Sequence, residues 1–211
     1  LKNNYSVIAF SMPLLGENNQ PTVEIPNLGV ITLKNHNNFQ HLDSEDFTSI
    51  KFFVHPISVS LDYIEKNYNF ENYHMIGLSG GAWVTTLYSA IDERIQKSYA
   101  VSGPLPRFLT INVYGNEGDY ELNNSSLYNK ANYLELFIMS SFGNDRLHMK
   151  ILNKYDPCCY YGLTYQTFEK NIQDKMKKLE SGTFKIHLDK INKKHTISKE
   201  SMNIILSSLE I

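Results

Sequence analysis

A serine flanked by glycines is the feature of this sequence with the clearest chemical potential. Gly77, Ser79 and Gly81 form a Gly-x-Ser-x-Gly pattern. A serine on a sharp turn between a strand and a helix has strained backbone geometry, and its neighbours two residues away pack too closely to carry a Cβ. The pattern therefore predicts that Ser79 is a nucleophile and that Gly77 and Gly81 are the glycines of its turn.

The residues around Ser79 support this interpretation because they have the pattern of a βαβ unit. Tyr73–Ile76 is a short apolar run, and residues 82–90 can continue as a buried helix. A polar connection then leads to a second apolar run, residues 98–103. The structural alternative is a serine that only caps the helix. The strand–turn–helix–strand context favours the nucleophile.

Three elements are predicted before this unit. The apolar run Tyr5–Phe10 is typical of a strand buried on both faces, which we expect in the central sheet. Residues 23–25 and 30–33 can form a hairpin across the turn residues 26–29. From about residue 50 to 68 the apolar positions recur at helical spacing, and Pro56 predicts either a kink or a restart.

Four elements are predicted after it. Residues from about 105 to 145 form an aromatic-rich insertion that is either a cap over a pocket or an ordinary packed segment. A strand over residues 147–153, an amphipathic helix ending near Gly182 and an edge strand over residues 183–189 follow. Ser198 is expected to cap a final helix.

Composition restricts the class of protein. The 211 residues, 42% of them hydrophobic and with a formal net charge of -2, fit a single domain of residues 1–211. Basic residues do not cluster into the surface that nucleic acids require, and apolar stretches do not approach the ~18 residues of a membrane span. The chain opens with Leu1 and not Met, and residues 1–4 resemble neither a signal peptide nor a transit segment, so we expect a trimmed or partial chain. The compartment and the oligomeric state stay open.

The cysteines do not indicate a redox or metal site. Cys158 and Cys159 are adjacent, so we expect buried, reduced thiols, with a disulfide between the two neighbours as the alternative. The seven histidines are scattered through the sequence. We therefore predict no metal and no organic cofactor.

The order of elements and the Gly-Leu-Ser-Gly-Gly turn resemble the α/β-hydrolase fold of serine hydrolases (esterase- and lipase-like), over most of residues 5–211. The resemblance implies an α/β architecture with a mostly parallel central sheet flanked by helices. It also implies a nucleophile, an acid and a histidine in that chain order, each on a loop after a strand. Ser79, Asp156 and His195 match this order and are implied as the catalytic residues, with the backbone N–H of Gly80 as one oxyanion donor.

Other acids and histidines match the implied order less well. Asp145 is the competing acid, but it precedes the strand over residues 147–153, whereas the family places its acid after the strand. Asp189 ends the later strand and is a third candidate. His195 alone follows the last strand, which favours it over the other histidines.

One departure from the family concerns the start of the chain. The family's sheet has strands before the segment Tyr5–Phe10, and a loop after one of them supplies the second oxyanion N–H. Residues 1–76 contain no His-Gly or Gly-Gly oxyanion motif. Two explanations stay open: the N-terminal strands are missing from this chain, or the donor comes from another place such as residues 12–15.

The sequence predicts a serine hydrolase that cleaves an ester or related acyl bond of a small molecule through an acyl-enzyme. Peptide, thioester and sugar-ester substrates fit the same residues, and the aromatic insertion favours an apolar acyl or aromatic group. The alternative is a non-catalytic binding or scaffold protein with the same fold, motivated by the oxyanion motif that the sequence lacks.

Overall fold

The computed structural model describes residues 5–115 and 118–209. These residues divide into two compact units. One contains the described residues up to Ser58 together with Asp119–Glu121, and the other contains Val59–Gly118 and the described residues from Leu122 onward.

The strands and helices of the described residues follow in chain order. They are β1 (Thr22–Ile25), β2 (Gly29–Thr32), a 3-10 helix (His36–His41), α1 (Lys51–Asn67), β3 (Tyr73–Leu78), α2 (Gly80–Ile91), β4 (Ile95–Val101), α3 (Arg107–Asn112), α4 (Tyr120–Asn123), α5 (Ser125–Tyr128), α6 (Tyr133–Ser141), β5 (Leu147–Asn153), a second 3-10 helix (Thr164–Thr167), α7 (Glu169–Leu179), β6 (Thr183–Asp189) and α8 (Lys199–Leu209).

The hairpin predicted in the first unit is confirmed. β1 and β2 pair antiparallel, with Thr22 opposite Thr32. Asn27 and Gly29 in the turn take φ values of 68° and 80°, the left-handed region that Asn and Gly tolerate best. The predicted helix is also confirmed, since α1 continues through Pro56 without a restart.

The strand predicted at Tyr5–Phe10 is wrong. These residues have no regular secondary structure, and Val7, Ile8 and Phe10 are 67%, 52% and 48% exposed. An apolar run becomes a strand only where a partner strand satisfies its backbone groups. Within the described residues this segment pairs with no strand, so its apolar pattern is not sufficient.

The second unit is built on a parallel sheet with the strand order β3-β4-β5-β6. Gly77 lies opposite Ala100, Ala100 opposite Lys150, and Lys150 opposite Ile186. The predicted edge strand is confirmed as β6. Because all four strands run in the same direction, the loops that follow them emerge at one edge of the sheet.

Helices cover both faces of this sheet, which explains why every residue of β5 is buried. Met149 and Ile151 pack on one face with Ile205 of α8. His148 and Lys150 point to the opposite face, where they meet Phe137 of α6. The aromatic-rich insertion therefore contributes at least α6 to a layer packed on the sheet and on α2.

Lys150 is an unusual member of this core because it is fully buried. Its Nζ donates a hydrogen bond of 2.9 Å to the carbonyl of Pro104 and lies 4.7 Å from the ring centroid of Phe137. Burial lowers the pKa of Lys150 to about 7, since removal from water disfavours the charged amine. The side chain ties β5 to the loop that follows β4.

No helix in residues 5–115 and 118–209 has the length and apolarity needed to cross a bilayer.

Candidate active site

Ser79 lies between the last residue of β3 and the first residue of α2. Its φ of 58° and ψ of -118° place a residue with a side chain in a strained part of conformational space. The turn is anchored on both sides, since the Ser79 N–H donates to the Val101 carbonyl at 2.9 Å and its own carbonyl accepts from Ala82 N–H at 3.0 Å. The backbone therefore presents Ser79 at the carboxyl edge of the sheet, half-buried.

The two glycines of the turn differ in their surroundings. A Cβ on Gly77 would lie 2.0 Å from the carbonyl oxygen of Gly81, so β3 and α2 can approach this closely only with glycine at position 77. The prediction of a similar constraint at Gly81 is wrong, because a Cβ there would meet no described atom within 4 Å beyond its chain neighbours and the nearby backbone of α2. Gly80 begins α2, and N–H groups in a first helical turn lack partners within the helix.

Asp156 lies three residues beyond β5 and is 4% exposed. Its Oδ1 accepts hydrogen bonds from the backbone N–H groups of Cys158 at 2.9 Å and Cys159 at 3.3 Å. Burial alone would raise the pKa of Asp156, but the Cys158 N–H, His195 and the nearby Ser102 hydroxyl lower it below its ordinary value. The carboxylate is therefore stabilised in its charged form.

His195 follows β6 on a loop and pairs with Asp156. Its Nδ1 lies 3.0 Å from Oδ1 and 2.9 Å from Oδ2 of that carboxylate, and its side chain is 23% exposed. Because an ionised carboxylate only accepts hydrogen bonds, Nδ1 carries the proton. A neutral imidazole held this way has its lone pair on Nε2, which can therefore accept a proton.

The structure thus pairs two of the three sequence-implied side chains. Within the described residues no hydrogen bond joins Ser79 to His195. Ser79, Asp156 and His195 nevertheless follow β3, β5 and β6, which end at the same edge of the sheet. Catalytic hydrogen bonds are often long without substrate and tighten when it binds.

The competing acids have other surroundings. Asp145 is exposed and precedes β5, with a φ of 58°. Asp189 accepts hydrogen bonds from the backbone N–H groups of Ile191 and Asn192 and from the Ser198 hydroxyl, so it shapes the loop after β6. The structure therefore pairs His195 with Asp156 and not with either alternative.

The prediction of buried, reduced thiols is wrong. Cys158 and Cys159 form a disulfide, with Cys158 exposed and Cys159 half-buried. They are not buried in the core because they lie in the turn after β5, at the surface. The same two residues supply the N–H groups that hold the Asp156 carboxylate.

Comparison with known proteins identifies the fold. The chain matches no protein-family model and no curated protein. Its structure is similar to uncomplexed acylaminoacyl peptidase from Pyrococcus horikoshii, with a TM-score of 0.51 and 16% identity over 75% of this chain and 27% of that chain. Est1E from Butyrivibrio proteoclasticus has a TM-score of 0.50 and 14% identity over 78% of this chain and 69% of that chain. This chain has the α/β-hydrolase fold. It spans about a quarter of the length of the peptidase.

The sequence analysis missed a polar network that lies next to His195 in the candidate active site. The buried Asn153 ends β5, and its Nδ2 donates to the Ser102 hydroxyl at 3.0 Å and to the carbonyls of Lys194 and Thr196 at 3.2 and 3.1 Å. One amide therefore contacts both backbone neighbours of His195. Polar residues at the carboxyl ends of buried parallel strands are the sequence signal that could have identified Asn153 and Ser102.

Each of the two units of the described residues contains a cavity. One of about 380 Å³ is lined by residues between Glu65 and Gln96. Another of about 550 Å³ is lined by residues between Ala9 and Pro56. Neither is lined by Ser79, Asp156 or His195.

Proposed function

We propose that this protein is a serine hydrolase that cleaves an ester or related acyl bond through a covalent acyl-enzyme. The observation that carries the proposal is the hydrogen-bonded pair of Asp156 and His195, at the same edge of the sheet as Ser79. A strained serine after one strand and an aspartate–histidine pair after two others is the arrangement that activates a serine hydroxyl.

In the proposed reaction, Ser79 Oγ attacks the acyl carbon while His195 Nε2 takes the hydroxyl proton. The Gly80 N–H stabilises the negative oxygen of the tetrahedral intermediate. His195 then gives its proton to the leaving oxygen, and the bond between that oxygen and the acyl carbon breaks. Water then attacks the acyl carbon while His195 Nε2 takes its proton. The bond between the acyl carbon and Ser79 Oγ breaks, His195 returns the proton to Oγ, and the carboxylic acid leaves.

The charge on Asp156 supports two parts of this scheme. Its hydrogen bonds to Nδ1 hold the ring in the orientation and tautomer that leave Nε2 as the base. When His195 becomes protonated, the carboxylate beside it stabilises the imidazolium. The lowered pKa of Asp156 keeps this charge in place at neutral pH.

The substrate is expected to be a small molecule with an ester or related acyl bond. Ester hydrolysis is the simplest reaction of this arrangement, and a serine acylated by a thioester or a peptide would follow the same steps. This chain shares its fold with Est1E and with an acylaminoacyl peptidase, and the second of these is named as a peptidase. The fold alone therefore does not select one substrate class. The proposed chemistry needs neither a metal nor an organic cofactor.

A fluorophosphonate probe tests the proposal, because it forms a covalent bond with an activated serine. The wild-type protein should be labelled at Ser79, and Ser79→Ala should abolish both labelling and hydrolysis of p-nitrophenyl acetate, with a loss of at least ~10³-fold. Ser207→Ala on the exposed face of α8 is the matched control and should keep both.

Two results would contradict this assignment. A folded Ser79→Ala protein that retains esterase activity would remove Ser79 as nucleophile. A folded wild-type protein that is neither labelled nor active would favour the non-catalytic binding protein.

A further inference from the structure

A second cluster of titratable side chains lies in the first unit, which does not contain Ser79, Asp156 or His195. His36 begins the first 3-10 helix, and Asp119 and Glu121 lie 83 and 85 residues further along the chain. One ligand atom from each of these three residues lies within 4.8 Å of the others. The fold therefore gathers an imidazole and two carboxylates that the sequence keeps far apart.

The His36 ring is held in a fixed orientation. It stacks on Phe39 with a centroid distance of 5.6 Å and meets Phe53 edge-on at 5.1 Å. Nε2 lies 2.9 Å from the Pro13 carbonyl, which can only accept a hydrogen bond, so Nε2 carries a proton. A metal-binding histidine is typically oriented in this way, with one ring N–H on a backbone carbonyl and the other nitrogen on the metal.

The other ring nitrogen faces the two carboxylates. His36 Nδ1 lies 2.8 Å from Glu121 Oε1 and 3.8 Å from Asp119 Oδ2. Two ligands of a tetrahedral zinc ion stand about 3.3 Å apart, given bonds of about 2.0–2.1 Å. The observed separations fall on either side of that value. The Asp119 side chain is 59% exposed.

The buried carboxylate is incompletely satisfied. The Glu121 side chain is 2% exposed, and within residues 5–115 and 118–209 its Oε2 has no hydrogen-bond partner. A buried, unpaired carboxylate oxygen is costly unless a cation or donor binds it. With a protonated imidazole the three side chains have a formal charge of -1, whereas a divalent cation in place of the Nδ1 proton would make them neutral.

We propose that His36, Asp119 and Glu121 bind a divalent transition-metal ion, for which zinc is the best match among ions that accept one imidazole and two carboxylates. The ion replaces the Nδ1 proton of His36 and is bound by Glu121, with Asp119 or water completing its coordination. It joins the 3-10 helix at His36 to Asp119 and Glu121 within the first unit, so its role is structural.

Zinc binding to the metal-stripped full chain tests this site. Equilibrium dialysis against ZnCl2, followed by elemental analysis, should find one zinc ion per chain, and zinc should raise the melting temperature. Glu121→Gln keeps the side-chain shape and should abolish the bound zinc or weaken its affinity by about tenfold or more. Asp119→Asn, at a position exposed enough to tolerate the change, should also weaken it.

The controls separate this site from other histidines and carboxylates. His41→Gln changes an exposed histidine in the same 3-10 helix, and Asp156→Asn removes a carboxylate of the candidate active site; both should leave the zinc stoichiometry unchanged. Failure of the wild-type chain to bind zinc would show that His36 and Glu121 form only a buried ion pair. Unchanged zinc affinity in folded Glu121→Gln and Asp119→Asn would place the zinc elsewhere, and either result overturns the proposal.

Discussion

Removal of the Asn153 amide tests how the α/β-hydrolase scaffold positions the proposed base. Asn153 does not belong to the proposed triad, but its Nδ2 contacts the carbonyls on both sides of His195 and the Ser102 hydroxyl. Asn153→Ala removes all three contacts. Asn153→Asp keeps the size and replaces the donor with an acceptor that faces three oxygen atoms.

The magnitude follows from the number of hydrogens available. An amide NH2 has two hydrogens, and each net hydrogen bond contributes about 0.5–1.5 kcal/mol, so the loss is about 1–3 kcal/mol. If this free energy holds His195 in its reactive position, kcat should fall by about 5- to 150-fold, since each 1.36 kcal/mol is a factor of ten. KM should change little, because Asn153 is buried beneath the site.

Steady-state kinetics on p-nitrophenyl acetate, with melting temperatures measured in parallel, check this prediction. Asn153→Asp should be at least as damaging to kcat as Asn153→Ala. Asn192→Ala is the control, since Asn192 donates to the same two carbonyls from a more exposed position and should have the smaller effect. Wild-type kcat in a folded Asn153→Asp protein would refute the reasoning, because the shape alone would then be sufficient.

Three further predictions concern the acid, the base and the buried lysine. Asp156→Asn should reduce activity far more than Asp145→Asn in parallel assays of folded proteins. A larger loss in Asp145→Asn would contradict the assignment of Asp156 as the acid. His195→Ala should abolish hydrolysis of p-nitrophenyl acetate because it removes the proposed base, and a folded His195→Ala protein that keeps wild-type activity would show that another group is the base. Burial lowers the pKa of Lys150 to about 7 in the folded chain, whereas a lysine in an unfolded chain has a pKa of about 10.4. Between these two pH values Lys150 binds more protons in the unfolded chain, so its contribution should make the free energy of unfolding rise with pH. Lys150→Met should remove about 3 kcal/mol of this rise between pH 7 and about 9.5 in urea unfolding, and an unchanged slope would show that Lys150 stays charged.

Local patterns predicted most of the regular structure. The apolar runs that became β3 to β6 and the helical spacing that became α1, α2, α7 and α8 were visible because strand and helix periodicities are written in neighbouring residues. Gly77 was also predictable, since it belongs to the same turn as Ser79. Tyr5–Phe10 was not, because a strand requires a partner and the sequence of one segment does not identify it.

The choice of Ser79, Asp156 and His195 as candidate catalytic residues could be made from the sequence, through the family that it resembles. Which acid meets His195 was decided by the tertiary structure, since Asp156 and His195 are 39 residues apart and meet only when β5 pairs with β6. The contacts of Asn153 and the disulfide after Asp156 also depend on loops whose geometry no local pattern specifies.

What the sequence by itself determined is the succession of strands and helices and the turn that presents Ser79, because local backbone preferences and hydrophobic periodicity act over a few residues. What only the tertiary structure decided is which side chains meet. The Asp156–His195 pair and the cluster of His36, Asp119 and Glu121 form between distant segments. Such contacts depend on strand pairing and core packing across the whole chain, and sequence spacing alone does not determine them.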